Sequence, residues 1–220
     1  MSLTAVSEAA ERLGVTTRQV QHLVARGELR QVARGLLDET SVERLLAVRG
    51  NTHTRAWSEA TAWGAVAILS GTDAGWMGES QRSRLKGRLR AMSPADLVER
   101  ARERAEVTRC AAHSSAGQYL VAELLCATDA AGQLGLAATN NIDGYLAAAD
   151  VGGVLSRHGL IRDDEGRATL RATSMDLDVV RDLSKQSVVL AALDLAESLD
   201  VRERRAGLDA LDRALESFRG

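Results

Sequence analysis

Aromatic residues are nearly missing from this chain: three Trp, two Tyr and one Phe make up 3% of 220 residues. Leu, Val and Ala must therefore fill the core that a 45% apolar composition builds. Proline is rarer still, with Pro94 alone, so little interrupts helices and a mainly α protein is expected. No run approaches the ~20 consecutive apolar residues that span a bilayer. The opening MSLTAVSEAAERLG turns polar and charged at once, without the basic-then-apolar order of an export signal. Both absences point to a cytoplasmic protein with no membrane partner. The two cysteines, Cys110 and Cys126, are read as reduced, buried thiols.

Enzyme signatures are missing too. There is no phosphate loop, no G-x-S-x-G elbow, no H-E-x-x-H and no G-x-G-x-x-G after a strand. The glycines of GQLGLAATNN come without the lysine that a phosphate loop needs. Cys110 and His113 form one C-x2-H pair, whereas a zinc site takes four ligands, usually as two tight pairs. Asp163, Asp164 and Glu165 fall in turn chemistry, where solvation is their ordinary role. A non-enzyme with no cofactor and no metal is expected.

The net charge of −2 hides an asymmetry. Residues 1–110 hold 17 Lys+Arg against 13 Asp+Glu, and residues 111–220 hold 11 against 17. A basic first half and an acidic second half suggest that the first half faces nucleic acid.

The first half opens on SEAAERLGVTTRQVQHLVARGEL, Ser7 to Leu29. Ala10, Gly14, Val20 and Leu23 stand at A-x3-G-x5-V-x2-L, the spacing of a helix-turn-helix. Ala10 is small where the second helix must approach, and Gly14 supplies a positive φ for the turn. Leu13, Val15, Val20 and Leu23 close a small core, and Thr16 or Thr17 caps the second helix. Outward positions Thr17, Arg18, Gln19, Gln21 and His22 carry side chains able to read base edges or meet phosphates. The continuation ARGELRQVARGLLDETSVERLLA reads as a helix end at Gly27, two short extended pieces and a helix from about Ser41, with Thr40 and Glu43 as its capping box.

This order resembles the winged helix-turn-helix of the MerR-like and excisionase-like DNA binders. The resemblance implies that Arg26, Arg30 and Arg34 meet the DNA backbone or the minor groove. The long dimerising helix of MerR proteins has no counterpart, since no heptad run follows.

Residues 1–50 thus form one expected domain and residues 55–220 a second, helix-rich one, with room for a sub-boundary near residue 110. In the second, GTDAGWMGES is a loop between helices, and Ser93 caps a helix opened by Pro94. His113 to Gly132 reads as one helix. VGGVLSRHGLIRDDEGRATLRAT reads as a short helix followed by a β-hairpin. Two helices close the chain, the last capped by Asp200 and striped by Val201, Leu208, Leu211, Leu215 and Phe218. Arg82, Arg84, Lys86, Arg88 and Arg90 alternate in QRSRLKGRLR, either a phosphate-contacting patch or a solvated helix.

RSRLKGRLR, IDGYL, RHGLI and LDLAESLDVRERRAG resemble stretches of the actinobacterial regulators grouped with AbiE-type antitoxins. That resemblance implies an autorepressing antitoxin of a toxin-antitoxin operon, and a toxin encoded by a neighbouring gene as protein partner. The expected function is therefore a sequence-specific regulator that binds double-stranded DNA as a homodimer. The competing reading is a protein-interaction module that neutralises a toxin, with DNA secondary. The site residues expected on the first reading are Thr16, Thr17, Arg18, Gln19, Gln21, His22, Arg26, Arg30 and Arg34.

Overall fold

The structure is a computed structural model and describes residues 3–25, 29–49, 55–113, 116–125, 130–137 and 141–220. The chain is mostly helical, with one three-stranded and one four-stranded sheet. It divides into two compact units, Met1–Thr54 with Glu197–Leu199 and Arg55–Ala196 with Asp200–Gly220. Among the described residues no helix is long and apolar enough to cross a membrane.

The smaller unit runs β1 (Leu3–Ala5), α1 (Val6–Leu13), α2 (Thr17–Ala25), β2 (Gln31–Ala33), β3 (Leu36–Asp38) and α3 (Glu39–Arg49). Strand β3 is central, with β1 and β2 antiparallel on either side. Ala9, Ala10, Leu13, Val20, Leu23, Leu29, Leu37, Val42 and Leu45 make its core. The α3 cap differs from the expected one. Asp38 Oδ1 accepts from Thr40 N at 3.1 Å and the Ser41 hydroxyl donates to Asp38 O at 2.7 Å. The helix thus starts at Glu39, two residues before Ser41, because Asp38 ends β3 and its carboxylate satisfies the free N–H of Thr40.

The larger unit opens with α4 (Glu59–Leu69), α5 (Glu79–Arg90) and α6 (Pro94–Ala101). Ser93 Oγ accepts from Asp96 N and Pro94 occupies the first turn, as the sequence suggests. Helix α4 is buried nearly all round, which suits its run of Ala, Val and Ile. The final helices are α10 (Leu177–Gln186), α11 (Val189–Ala196) and α12 (Val201–Arg219), the last two separated by the Asp200 cap. Leu211 and Leu215 are fully buried, and Leu208 and Phe218 pack against the same core, so most of the stripe faces inward. Val201 is the exception, 67% exposed. At Gly207 an added Cβ would lie 2.5 Å from the Ala196 backbone, so the two helices cross in direct backbone contact.

Along the chain between α6 and α11 comes a four-stranded sheet of β4 (Glu106–Ala111), β5 (Ile142–Ala147), β6 (Ile161–Arg162) and β7 (Ala168–Thr173), in the order β5-β7-β4-β6. The expected hairpin between residues 160–162 and 168–173 does not form. Both strands exist, but β4 runs between them: Cys110 pairs with Arg162 on one side and Ala168 on the other. The Asp163–Gly166 turn therefore steps across the end of β4 instead of folding one strand onto the next. Gly166 makes that step feasible, since a Cβ there would sit 2.1 Å from the Cys110 carbonyl. The expected helix from His113 to Gly132 also divides. Described parts are α7 (Gly117–Glu123) and α8 (Ala130–Gln133), and Leu125 bridges to Tyr145.

The sheet separates two cores. Leu146, Ala168, Leu170 and Cys110 face α7 and α9 (Val151–Arg157). The alternate residues Tyr145, Arg171 and Thr173 face the helices, where a buried polar network forms. Arg104 Nη2 donates to Asp194 Oδ1 at 2.7 Å and Tyr145 OH donates to the same oxygen at 2.6 Å. Arg104 Nε donates to the Tyr145 oxygen at 3.0 Å. Arg171 grips Asp143 with two bonds of 2.6 and 2.8 Å and lies 3.4 Å from Asp194 Oδ1. Arg104 and Arg171 are each 1% exposed. Glu59 adds a second tie, accepting from Thr173 Oγ1 and from Ser174 N at 2.6 Å.

Removing one partner of a buried, satisfied ion cluster leaves a bare charge in low dielectric. Asp194→Ala is therefore expected to cost about 3–5 kcal/mol in urea denaturation. Arg12→Ala, which breaks the more exposed Arg12–Glu39 pair, is expected to cost about 1 kcal/mol or less by the same measurement. Equal losses would contradict this account.

Burial also pushes the Tyr145 phenol well above its ordinary value of 10.0, more strongly than the neighbouring arginines lower it. A folded-state value above the unfolded one favours the neutral phenol, so its contribution is complete below the unfolded value and is lost as pH rises from about 10. Urea midpoints measured from about pH 8 to 11 are expected to fall more steeply for wild type than for Tyr145→Phe.

Candidate nucleic-acid interface

The α1–α2 pair is built around a small-residue contact. Ala10 is 6% exposed and packs beneath α2, where Val20 is fully buried and Leu23 is 5% exposed. Gly14 takes φ 62°, ψ 30°, and its N–H donates to Glu11 O at 3.1 Å. That left-handed conformation is the position where a Cβ is penalised, and it turns the chain after only two helical turns. The glycine that interrupts the amphipathic run is the turn itself.

Helix α2 then begins with a reciprocal cap. Thr16 Oγ1 accepts from Gln19 N at 3.2 Å, and Gln19 Oε1 accepts from Thr16 N at 3.0 Å. Both residues are exposed, yet their polar atoms hold the helix start. Val20, Leu23 and Val24 occupy the inner face. Helical spacing then puts Arg18 and His22 on the opposite face with Gln21 beside them, while Thr17 stands in the first turn next to the Val20–Val24 side, and all four are exposed. Arg26 and Gly27 lie outside the described residues.

Past Leu29, which is 2% exposed, the β2–β3 hairpin turns at Arg34 and Gly35. The Gly35 carbonyl accepts from Val6 N at 3.0 Å, which fixes the turn against the start of α1. Arg30 is held through its backbone: its N–H donates to Ser41 Oγ at 3.1 Å and its carbonyl accepts from Asp38 N at 2.9 Å. The side chains of Arg30 and Arg34 are exposed.

Electrostatics divide the arginines. Arg12 is paired with Glu39 at 3.2 Å and Glu43 at 3.8 Å. Arg18, Arg30 and Arg34 form no ion pair among the described residues. Three uncompensated cations on a rigid unit, with amide and imidazole side chains beside one of them, make a surface suited to a polyanion.

Cys110 is fully buried, and burial raises its thiol above the ordinary range, which keeps it protonated. Cys126 lies outside the described residues. Among the described residues no group of three or more metal-binding side chains comes together.

The Arg104–Tyr145–Asp143–Arg171–Asp194 network was not singled out in the sequence, although Asp194 inside VVLAALDLA is its one visible sign. Its polar atoms bond to each other and tie β5 and β7 to α11. No family model, no curated protein and no solved structure matches this chain.

The cap separates two roles that exposure alone does not. Gln19→Ala and Thr16→Ala are each expected to lower the stability of the smaller unit by about 0.5–1 kcal/mol, followed by far-UV circular dichroism in urea. A Gln19→Ala variant of unchanged stability but altered base preference would return Gln19 to the reading face.

Proposed function

We propose that this chain is a sequence-specific DNA-binding transcriptional regulator whose smaller unit is a winged helix-turn-helix. On this reading α2 enters the major groove. Arg18 reads guanine, Gln21 reads adenine, and Thr17 and His22 flank them. Arg30 and Arg34, on the hairpin, meet the sugar-phosphate backbone as the wing. The observation that carries the proposal is the α2 face itself, locked on its inner side and presenting an unpaired arginine beside amide and imidazole groups on its outer side. A single such helix reads few base pairs, so a homodimer on a two-fold operator follows from the need for specificity. The further role of autorepressing antitoxin, paired with a toxin from a neighbouring gene, rests on the sequence resemblance in the larger unit.

The test is binding of the purified chain to the DNA upstream of its own coding region and to a scrambled duplex, each at two salt concentrations. A preference for the upstream DNA that persists at the higher salt is expected. Arg18→Ala is expected to cost about 1–3 kcal/mol on the upstream DNA alone. Arg34→Ala is expected to weaken both duplexes alike and to lower the salt slope by about 1. Equal, salt-abolished binding to both duplexes would overturn the proposal and leave the protein partner as the primary one.

A further inference from the structure

The basic run QRSRLKGRLR lies in the larger unit, on α5, and the reading of α2 does not use it. Helix α5 holds five cations, Arg82, Arg84, Lys86, Arg88 and Arg90, against Glu79 alone, in a chain of net charge −2. Its inner face is Leu85 and Leu89, 2% and 0% exposed. Two of the cations are engaged within the fold: Arg82 pairs with Asp73, and Arg90 lies 5.5 Å from the Phe218 ring centroid. Arg84, Lys86 and Arg88 are exposed and form no ion pair among the described residues. Arg84 Nε bonds only to the Ser80 carbonyl, at 3.1 Å.

The outermost ridge of the helix is small. Helical spacing places Ser80, Ser83 and Gly87 opposite Leu85 and Leu89, with Arg84 and Arg88 on one side and Lys86 and Arg90 on the other. Gly87 has no packing reason within the fold, since a Cβ there would meet nothing within 4 Å. Glycine is disfavoured against alanine in a helix interior, so the space above it stands out. On one flank Arg88 and Arg100 line a common groove of about 410 Å³, in which Asp96 is the sole carboxylate lining residue.

We propose that the outer face of α5 is a second, sequence-indifferent contact for duplex nucleic acid, seating one sugar-phosphate strand over Gly87 between two rows of cations. The inference rests on the reading that this chain binds DNA, but on other residues. Charge favours a polyanion. The lack of any exposed large apolar side chain on α5 favours a phosphate backbone over a protein surface, whose contacts need buried anchors. A membrane surface is disfavoured because the apolar face of α5 is already buried.

The experiment uses the full chain and a scrambled duplex of about 30 base pairs, titrated by fluorescence anisotropy over a range of salt. The Arg84→Gln, Lys86→Gln, Arg88→Gln triple variant is expected to lower the slope of log K against log salt by about 2 to 3. Gly87→Gln keeps every cation and improves helix propensity; it is expected to raise Tm yet weaken binding by about threefold or more through bulk alone. Arg18→Ala with Arg34→Ala leaves the α5 contribution in place. A triple variant with wild-type slope, or a Gly87→Gln chain that binds like wild type, overturns the inference. So does a triple variant that loses binding to polyglutamate and not to the duplex, which assigns the face to an acidic protein. A wild-type chain that ignores the upstream sequence but loses scrambled-duplex binding in the triple variant defeats the α2 reading and leaves this one standing.

Discussion

Asp194 accepts from Arg104 at 2.7 Å and from Tyr145 at 2.6 Å, with Arg171 at 3.4 Å, in a site from which water is nearly excluded. The architecture of the larger unit follows from that meeting. Asp194 belongs to α11, Tyr145 to β5, Arg171 to β7, and Arg104 to the turn between α6 and β4. A carboxylate in an apolar helix is costly unless cations reach it, and buried cations are costly unless a carboxylate is there. Each group therefore requires the others, and α11 can pack on the sheet in one register only. Hydrophobic contacts among Leu, Val and Ala tolerate small slips, since such side chains are alike in shape. A chain with so few aromatics has little shape to specify its core, and directional charge-assisted bonds supply the specificity instead. Tyr145 and Trp63, two of the six aromatics, sit at the same place, with centroids 5.5 Å apart.

The smaller unit is specified differently, by sterics and capping within a short span. Ala10 allows α2 to approach, Gly14 turns the chain, Thr16 and Gln19 start the next helix, and Asp38 starts α3. No contact in this set spans more than about three dozen residues, and its buried carboxylate, Asp38, is answered by the neighbouring Thr40 N–H. Such local determinants can be read in one sequence because residue type and spacing are themselves the constraint. The Gly14 turn, a cap at Thr16 or Thr17 and the buried Val20 and Leu23 were legible for this reason. The α3 start was misread by two residues, since Thr40 and Glu43 fit the capping pattern as well as Asp38 and Ser41 do. Only the pairing of β3 shows which set stands at the helix start.

The sheet of the larger unit was mostly illegible, and the reason is physical. Strands β5 and β7 are parallel, so a crossover separates them, and β4 comes from more than fifty residues before β7. Short strands such as IDGYLA and ATLRAT have weak alternation because β5 and β7 carry polar groups on a buried face. Arg171 looks like a solvent-facing residue in sequence, and it is its bidentate bond to the half-buried Asp143 that lets it stay inside. Residues 160–173 invited a hairpin because the turn chemistry at Asp163–Gly166 was right. What local pattern could not show was a third strand taking both partners. Gly166 was the one residue that bore on this, because the passage over Cys110 leaves no room for a Cβ.

Arginine does two opposite jobs in this chain, and the division bears on how charge is used. Arg104 and Arg171 are sealed in with their carboxylates, so their fields end within a few ångströms. Arg18, Arg30 and Arg34 on the smaller unit, and Arg84, Lys86 and Arg88 on the larger, are exposed with no acidic side chain bound to them among the described residues. The chain holds more acids than bases, 30 against 28, so a shortage of carboxylates does not explain the unpaired cations. Surface ion pairs contribute little to stability, and leaving these cations unpaired therefore costs the fold almost nothing. It does leave each cation free to replace a phosphate counterion, which a cation already bound to a carboxylate does less well. Unpaired basic residues on helices and hairpins are thus compatible with a stable fold and suited to binding, whereas the buried ones hold the sheet to α11.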